Sequence, residues 1–309
     1  MARTGLGRNP LFNPAKALIR RQVTDLFNDA SKGERPVLRR GDALFAPDSV
    51  AWRVNGDVVT MMIGGVSGLL LQMLHPAVLA GVWDHSNFRA DMHGRLRRTA
   101  KFIAVTTYDS AENAVSAIDR VRRIHGQVRG VLPSGVPYDA TDPALLAWVH
   151  VTEATSFLNA WIRYAEPGMS RADQDRYFAE MATVAERLGA DPVPRDRASA
   201  EALIQSMRPA LLTDDRTREV ARLVLKQTMG SRTTDSASRI IMQAGVDLLP
   251  DWARRMHGLY RPLDLPVIRA GATTMARTLR WAFDQSPNRR VWPLDVIRYP
   301  DAASHDRSR

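Results

Sequence analysis

The stretch Val58–Gly81, VVTMMIGGVSGLLLQMLHPAVLAG, constrains this chain more than any other. A run that apolar must leave water, into a bilayer or into the middle of a protein. A membrane span needs about twenty apolar residues in succession. Here Gln72, His75 and Pro76 interrupt the run, and a proline inside a helix removes a hydrogen bond and clashes with the preceding turn. The stretch therefore reads as a buried central helix, broken near His75-Pro76. Gly64, Gly65 and Gly68 within it permit close approach by neighbouring backbone or by a flat ligand.

A central helix that is apolar all round needs a shell of amphipathic partners. Residues 10–30 supply one: Leu11, Phe12, Ala15, Leu18, Ile19, Val23, Leu26 and Phe27 recur at helical spacing, with Lys16, Arg20 and Arg21 opposite. That helix is expected to pack on the body, the alternative being a basic helix lying on an anionic membrane surface. Further helices are read over Gly94–Thr107, Ser110–Val131, Ser170–Leu188, Ala198–Met207, Arg216–Thr228, Ser236–Leu248 and Pro266–Phe283. Another opens at Asp142-Pro143, aspartate as cap and proline in the first turn, and closes at Glu166-Pro167-Gly168. No alternating strand pattern followed by hairpin turns is found. The expectation is an all-α domain over 44–285, a basic amphipathic extension over 1–43 and a tail over 286–309.

Absence of cysteine excludes disulfides, thiolate-ligated metals and a cysteine nucleophile. The formal net charge of +10 suggests nucleic acid at first sight. Its distribution argues otherwise: residues 1–43 carry nine Lys/Arg against four Asp/Glu, residues 251–309 eleven against six, and the middle balances at 23 each. No zinc finger or RNA-binding aromatic pattern accompanies the arginines, so no specific nucleic-acid partner is expected. Met1–Gly7 lacks the apolar core of a secretory signal. A cytoplasmic location is expected, with peripheral membrane contact through residues 10–30 as the alternative.

Among seven histidines, His125 has the most informative setting. Ala114, Ile118, Val121, His125 and Val128 recur at intervals of four and three, which places the imidazole in an apolar stripe. A core-facing imidazole needs a partner for its ring nitrogens, either a carbonyl or carboxylate, or a metal. On the preceding helix, Arg95, Arg98 and Thr99 share one face and could hold an anionic ligand, or simply form a solvated basic face. His150 and Glu153 lie three apart, the wrong order and number for a di-iron bundle, and read most simply as a buried His–Glu hydrogen bond.

Several motifs together resemble the MpaB/rubber-oxygenase catalytic-domain family. They are Trp52-Arg53-Val54-Asn55-Gly56-Asp57, the Gly-Gly run ending at His75-Pro76, His85-Ser86-Asn87-Phe88-Arg89-Ala90-Asp91, Gly94-Arg95-Leu96-Arg97-Arg98-Thr99, Arg122-Arg123-Ile124-His125 and Trp148-Val149-His150-Val151-Thr152-Glu153. The resemblance spans roughly residues 45–270. It implies a globin-like helical fold and b-type haem, with dioxygen as co-substrate. His125 matches the axial iron ligand, and His150 is the alternative imidazole. Arg95, Arg98 and Thr99 match the distal-side motif, as cofactor-binding and catalytic residues. The rubber-cleaving branch has Lys at the position of Arg98, and a guanidinium cannot ligate iron as a neutral amine can. This departure points to the broader branch, whose implied reaction is oxidation or cleavage of a C=C bond in a small apolar, isoprenoid or lipid-like substrate. A haem slot would be lined by the glycine-rich Val58–Leu74 helix with Phe157 and Trp161. The alternative is a non-catalytic haem- or lipid-binding sensor using the same pocket.

Overall fold

The computed structural model describes residues 12–28, 33–227, 235–261 and 264–285. Among them the chain forms thirteen α-helices and one two-stranded hairpin, so the fold is all-α. The helices are α1 (Phe12–Phe27), α2 (Val50–Val54), α3 (Val58–Gln72), α4 (Pro76–His85), α5 (Met92–Tyr108), α6 (Ala111–His125), α7 (Pro143–Tyr164), α8 (Arg171–Leu188), α9 (Arg197–Met207), α10 (Asp215–Leu225), α11 (Asp235–Leu248), α12 (Asp251–Met256) and α13 (Leu265–Ala282). The tail over 286–309 and the first eleven residues lie outside the described residues.

Side-chain caps set most of these boundaries. Asp57, Asp91, Ser110, Asp142, Ser170, Asp196 and Asp214 each accept a hydrogen bond from a first-turn backbone N–H. Gly189 ends α8 in the left-handed conformation, φ 100°, that glycine adopts without strain.

The apolar run behaves as expected of a broken central helix. α3 occupies the core and α4 leaves it at 105°, with His75 as N-cap and Pro76 in the first turn. No single helix among the described residues is long and apolar enough to cross a membrane; the bent pair α3–α4 passes that test by length and composition only.

α3 packs against α7, α11 and α13. Its register on α7 is antiparallel and regular. Gly64 meets Phe157, Gly68 meets Glu153, and the Gln72 amide donates to the Val149 carbonyl at 3.2 Å. A Cβ on Gly64 would stand 2.7 Å from the Phe157 ring and 3.0 Å from the Ser156 carbonyl oxygen. That glycine is therefore occupied by α7, and at this level Phe157 fills the space in which a slot was expected.

Polar ties fix the shell around this pair. Arg280 of α13 is buried, pairs with Asp57 at the start of α3 and donates to the Tyr164 carbonyl at the end of α7, 2.9 Å away. Asp247 of α11, its carboxylate wholly enclosed, is held by Arg163 at 2.9 Å and by both nitrogens of the Arg269 fork at 2.8 and 3.1 Å. Asn55 links α5 and α8 through Thr107 and Tyr177. α1 lies on α13 and α5, with Ile19, Val23, Leu26 and Phe27 half-buried and Leu18 and Arg21 exposed. Against expectation, Lys16 and Arg20 also face the body, pairing with Asp284 just after α13, while Ala15 and Leu18 are exposed.

Two expectations need correction. The helix read over Ser110–Val131 stops at His125. Gly126 caps it, and Arg129–Val131 pairs antiparallel with Pro137–Asp139, Gly130 opposite Tyr138. The turn between these strands uses Gly135 at φ 85°. So a hairpin exists where none was expected, and Val128 belongs to a turn, not to a helical stripe.

Candidate functional site

The α5–α6 hairpin carries both parts of the expected site, Arg95, Arg98 and Thr99 on α5 and His125 at the end of α6. Its connection is only Asp109-Ser110, which makes α5 and α6 antiparallel neighbours. Arg95 precedes the end of α5 by about as many residues as His125 follows the start of α6. At 1.5 Å per residue each lies about 20 Å along its own helix from the connection.

His125 is the last residue of α6, not mid-helix as the stripe suggested, and is half-buried. Its Nδ1 is sealed from solvent with no hydrogen-bond partner. Burial lowers its pKa, which favours the neutral imidazole that can ligate a metal. Arg95 is half-buried in the first turns of α5. Burial, and then the charge of Arg98, lower its pKa. Its guanidinium has no acidic partner among the described residues.

The other two residues of the motif are placed differently. Arg98 is exposed and pairs with the capping Asp91 at 3.2 Å. Thr99 is exposed, and its hydroxyl donates to the Arg95 carbonyl at 3.2 Å. Of the three, Arg95 alone keeps its polar group unengaged in a partly desolvated setting.

The hairpin after His125 lies against α4. Nε2 of His85 sits 3.1 Å from the Arg129 carbonyl oxygen, and the Tyr138 hydroxyl donates to Asp84 at 2.8 Å. His257 has a structural partner, Nε2 lying 2.8 Å from the Leu70 carbonyl oxygen. His75 caps α4 with its ring 6.5 Å from that of Trp148 and its Nδ1 unpartnered.

A polar pair inside α7 is the feature sequence reasoning undervalued. The expected His150–Glu153 hydrogen bond does not form. Nε2 of His150 is sealed and unpartnered, and the Gln72 amide near Glu153 donates to the Val149 carbonyl. Burial pushes the His150 pKa down to about 4. It pushes Glu153 up to about 7, only partly opposed by the Gln72 amide. Burial thus keeps His150 neutral at pH 7 and raises the protonated share of Glu153. A buried nitrogen without a partner costs about 1–3 kcal/mol, so His150 is poorly explained as packing alone.

A separate cleft of about 460 Å³ lies between the end of α7 and α13, lined by Arg163, Tyr164, Thr273, Arg277, Arg280 and Trp281 among others. None of the site residues expected from sequence lines it.

The helical hairpin of this all-α domain thus carries an imidazole and a guanidinium without partners among the described residues. Residues 52–281 match the family described as ER-bound oxygenase mpaB/B'/rubber oxygenase, catalytic domain, and the chain belongs to that family. No curated protein and no solved structure matches the chain.

Proposed function

We propose that this chain is a haem-b-dependent oxygenase that uses dioxygen to oxidise or cleave a C=C bond of an apolar, isoprenoid or lipid-like substrate. The observation that carries the reading is the pairing on one hairpin of His125, with an unpartnered ring nitrogen, and Arg95, with an uncompensated, half-buried charge. Membership of an oxygenase family supports it.

These residues fit a haem. The group brings a flat apolar surface, an iron that needs an axial ligand and two carboxylates that need cations. His125 would hold the iron through its neutral imidazole. Arg95 would pair with a carboxylate edge by charge-assisted hydrogen bonds. When bound, haem supplies the activation of dioxygen that no side chain here can provide. Arg98 and Thr99, on the exposed side of the same turns, would support the position of Arg95: Thr99 through its carbonyl, Arg98 through Asp91 at the start of the helix. The half-buried apolar side chains around the core, Met62, Leu69, Val78, Val82 and Leu96 among them, would exclude water from an apolar substrate.

The test is an absorption spectrum of protein purified from haem-replete cells. A Soret band that is lost in His125→Ala is expected, together with dioxygen uptake on addition of an isoprenoid alkene. A colourless wild-type protein that fails to take up added haem refutes the reading.

A further inference from the structure

The cleft between the end of α7 and α13 shares no residue with the site expected from sequence, and arginine dominates its wall. Thr273, Arg277 and Trp281 line it from one face of α13, each four residues after the last. Arg163, Tyr164 and Pro167 close it from the end of α7. The space is reached from solvent: Arg277 is exposed, the Arg163 side chain keeps 35% of its surface and Trp281 keeps 40%. Its volume, about 460 Å³, suits a small organic molecule.

No aspartate or glutamate lines this cleft among the described residues. The carboxylates around it are engaged elsewhere. Asp57 pairs with Arg280, and Glu166 accepts from the Trp161 indole at 2.9 Å and lies 3.4 Å from Arg53. Asp284, beside Gln285, serves both Lys16 and Arg20. Asp247 serves both Arg163 and Arg269, so one positive charge of that cluster stays uncompensated. Arg277 pairs with no acid among the described residues, which adds a second. A concave wall bearing one sign of charge concentrates the opposite sign.

We propose that this cleft binds an organic phosphate monoester, its phosphate held by Arg277, Arg163 and the Gln285 amide and its apolar body lying against Tyr164, Pro167 and Trp281. A monoester carries about 1.5 to 2 negative charges at pH 7, which matches the two uncompensated guanidinium charges; a carboxylate would answer only one. Guanidinium forks meet phosphate oxygens with paired N–H donors. Gln285 adds a neutral donor, whereas the Thr273 hydroxyl already donates to the Arg269 carbonyl at 2.8 Å. The Tyr164 and Trp281 rings and Pro167 give the rest of the wall an apolar character that free phosphate would not use. The proposal stands apart from the oxygenase reading, since no residue of the expected haem site enters it.

The experiment is isothermal titration calorimetry of the purified full-length protein with phenyl phosphate, inorganic phosphate and benzoate. Phenyl phosphate should bind one to one and at least about tenfold more tightly than the other two, because inorganic phosphate lacks the apolar body and benzoate lacks the second charge. Arg277→Gln should weaken phenyl phosphate at least about tenfold, the usual cost of a lost hydrogen bond to a charged group. Arg277 is exposed and unpaired, so that variant should melt with the wild type. Arg123→Gln, which removes an exposed charge from α6, should change the affinity by less than about twofold, since salt screens distant surface charges. Vesicles of phosphatidylcholine with phosphatidic acid, added as competitor, separate the two sources of such a group. Displacement of phenyl phosphate that phosphatidylcholine alone does not produce assigns the cleft to a lipid headgroup, and no displacement assigns it to a soluble ester; both results support the phosphate chemistry. No saturable binding of phenyl phosphate, benzoate or inorganic phosphate binding as tightly, or an affinity that Arg277→Gln leaves unchanged overturns the proposal.

Discussion

Adjacent glycines on α3 should respond to the same substitution in opposite directions. At Gly64 a methyl group would stand 2.7 Å from the Phe157 ring, 2.9 Å from the Phe157 Cα and 3.0 Å from the Ser156 carbonyl oxygen. The last two are backbone atoms of a 22-residue helix and cannot swing aside. α3 and α7 would have to part by several tenths of an ångström along their whole contact, and overpacking of this kind costs about 1–3 kcal/mol. Two backbone clashes put it near the upper end. Replacing a helical glycine with alanine returns about 1 kcal/mol of helix propensity. The net expectation for Gly64→Ala is a loss of about 2 kcal/mol, seen as a melting temperature lower by about 4 °C in a chain of this size. At Gly65 the same methyl meets one ring carbon at 3.8 Å, an ordinary contact. Only the propensity gain remains, so Gly65→Ala should raise stability by about 0.5–1 kcal/mol. Thermal melts followed by circular dichroism read both. If the two variants shift the same way, or if Gly64→Ala melts with the wild type, the antiparallel register of α3 on α7 is wrong, and with it the placement of Gln72 beside Val149.

Three other expectations are simpler to state. Arg95→Leu should weaken haem retention at least tenfold, measured by transfer to apomyoglobin, whereas Arg98→Gln should change it less than threefold because that guanidinium is exposed and paired with Asp91. His150 and Glu153 should oppose each other in the pH dependence of stability. The depressed His150 pKa, about 4, means that stability falls as pH drops from the unfolded value near 6.5 through 4; the raised Glu153 pKa, about 7, means that it falls as pH rises from about 4.5 through 7. Urea melts should therefore show Glu153→Gln gaining stability over the wild type at pH 8, by up to about 3 kcal/mol, and losing that advantage by pH 4, with His150→Phe showing the reverse. Asp247→Asn, which removes the enclosed carboxylate from between Arg163 and Arg269, should cost about 3 kcal/mol in the same assay, the low end for a broken buried pair because both guanidiniums reach solvent.

Helices with a cap and three or more turns were legible in the sequence. Asp142-Pro143, Ser170 and Gly189 mark ends that the backbone honours because each supplies a bond or a dihedral that few residues can. α2 and α12, five and six residues long, are too short to show a period. Gly130 and Pro133 read as the stop of α6, yet the helix ends five residues before Gly130, and the strands that follow are three residues long, too short to show an alternation. Of the site, His125 and Arg95 were singled out by the family resemblance, and the tight Asp109-Ser110 connection sets their helices side by side. His150 and Glu153 could not be placed. Whether a polar residue on an apolar helix is partnered depends on which residue of a distant helix stands opposite, here Gln72, more than seventy positions away.

The 105° break at His75 also divides the longest apolar run of the chain. Straightened, Val58–His85 would form one continuous apolar rod of a length that insertion machinery reads as a bilayer span. Folded at the break, the same residues form two short helices, each below that length. Pro76 and the bend before it thus keep the apolar run divided between two helices, and leucine at both 75 and 76 would remove that division.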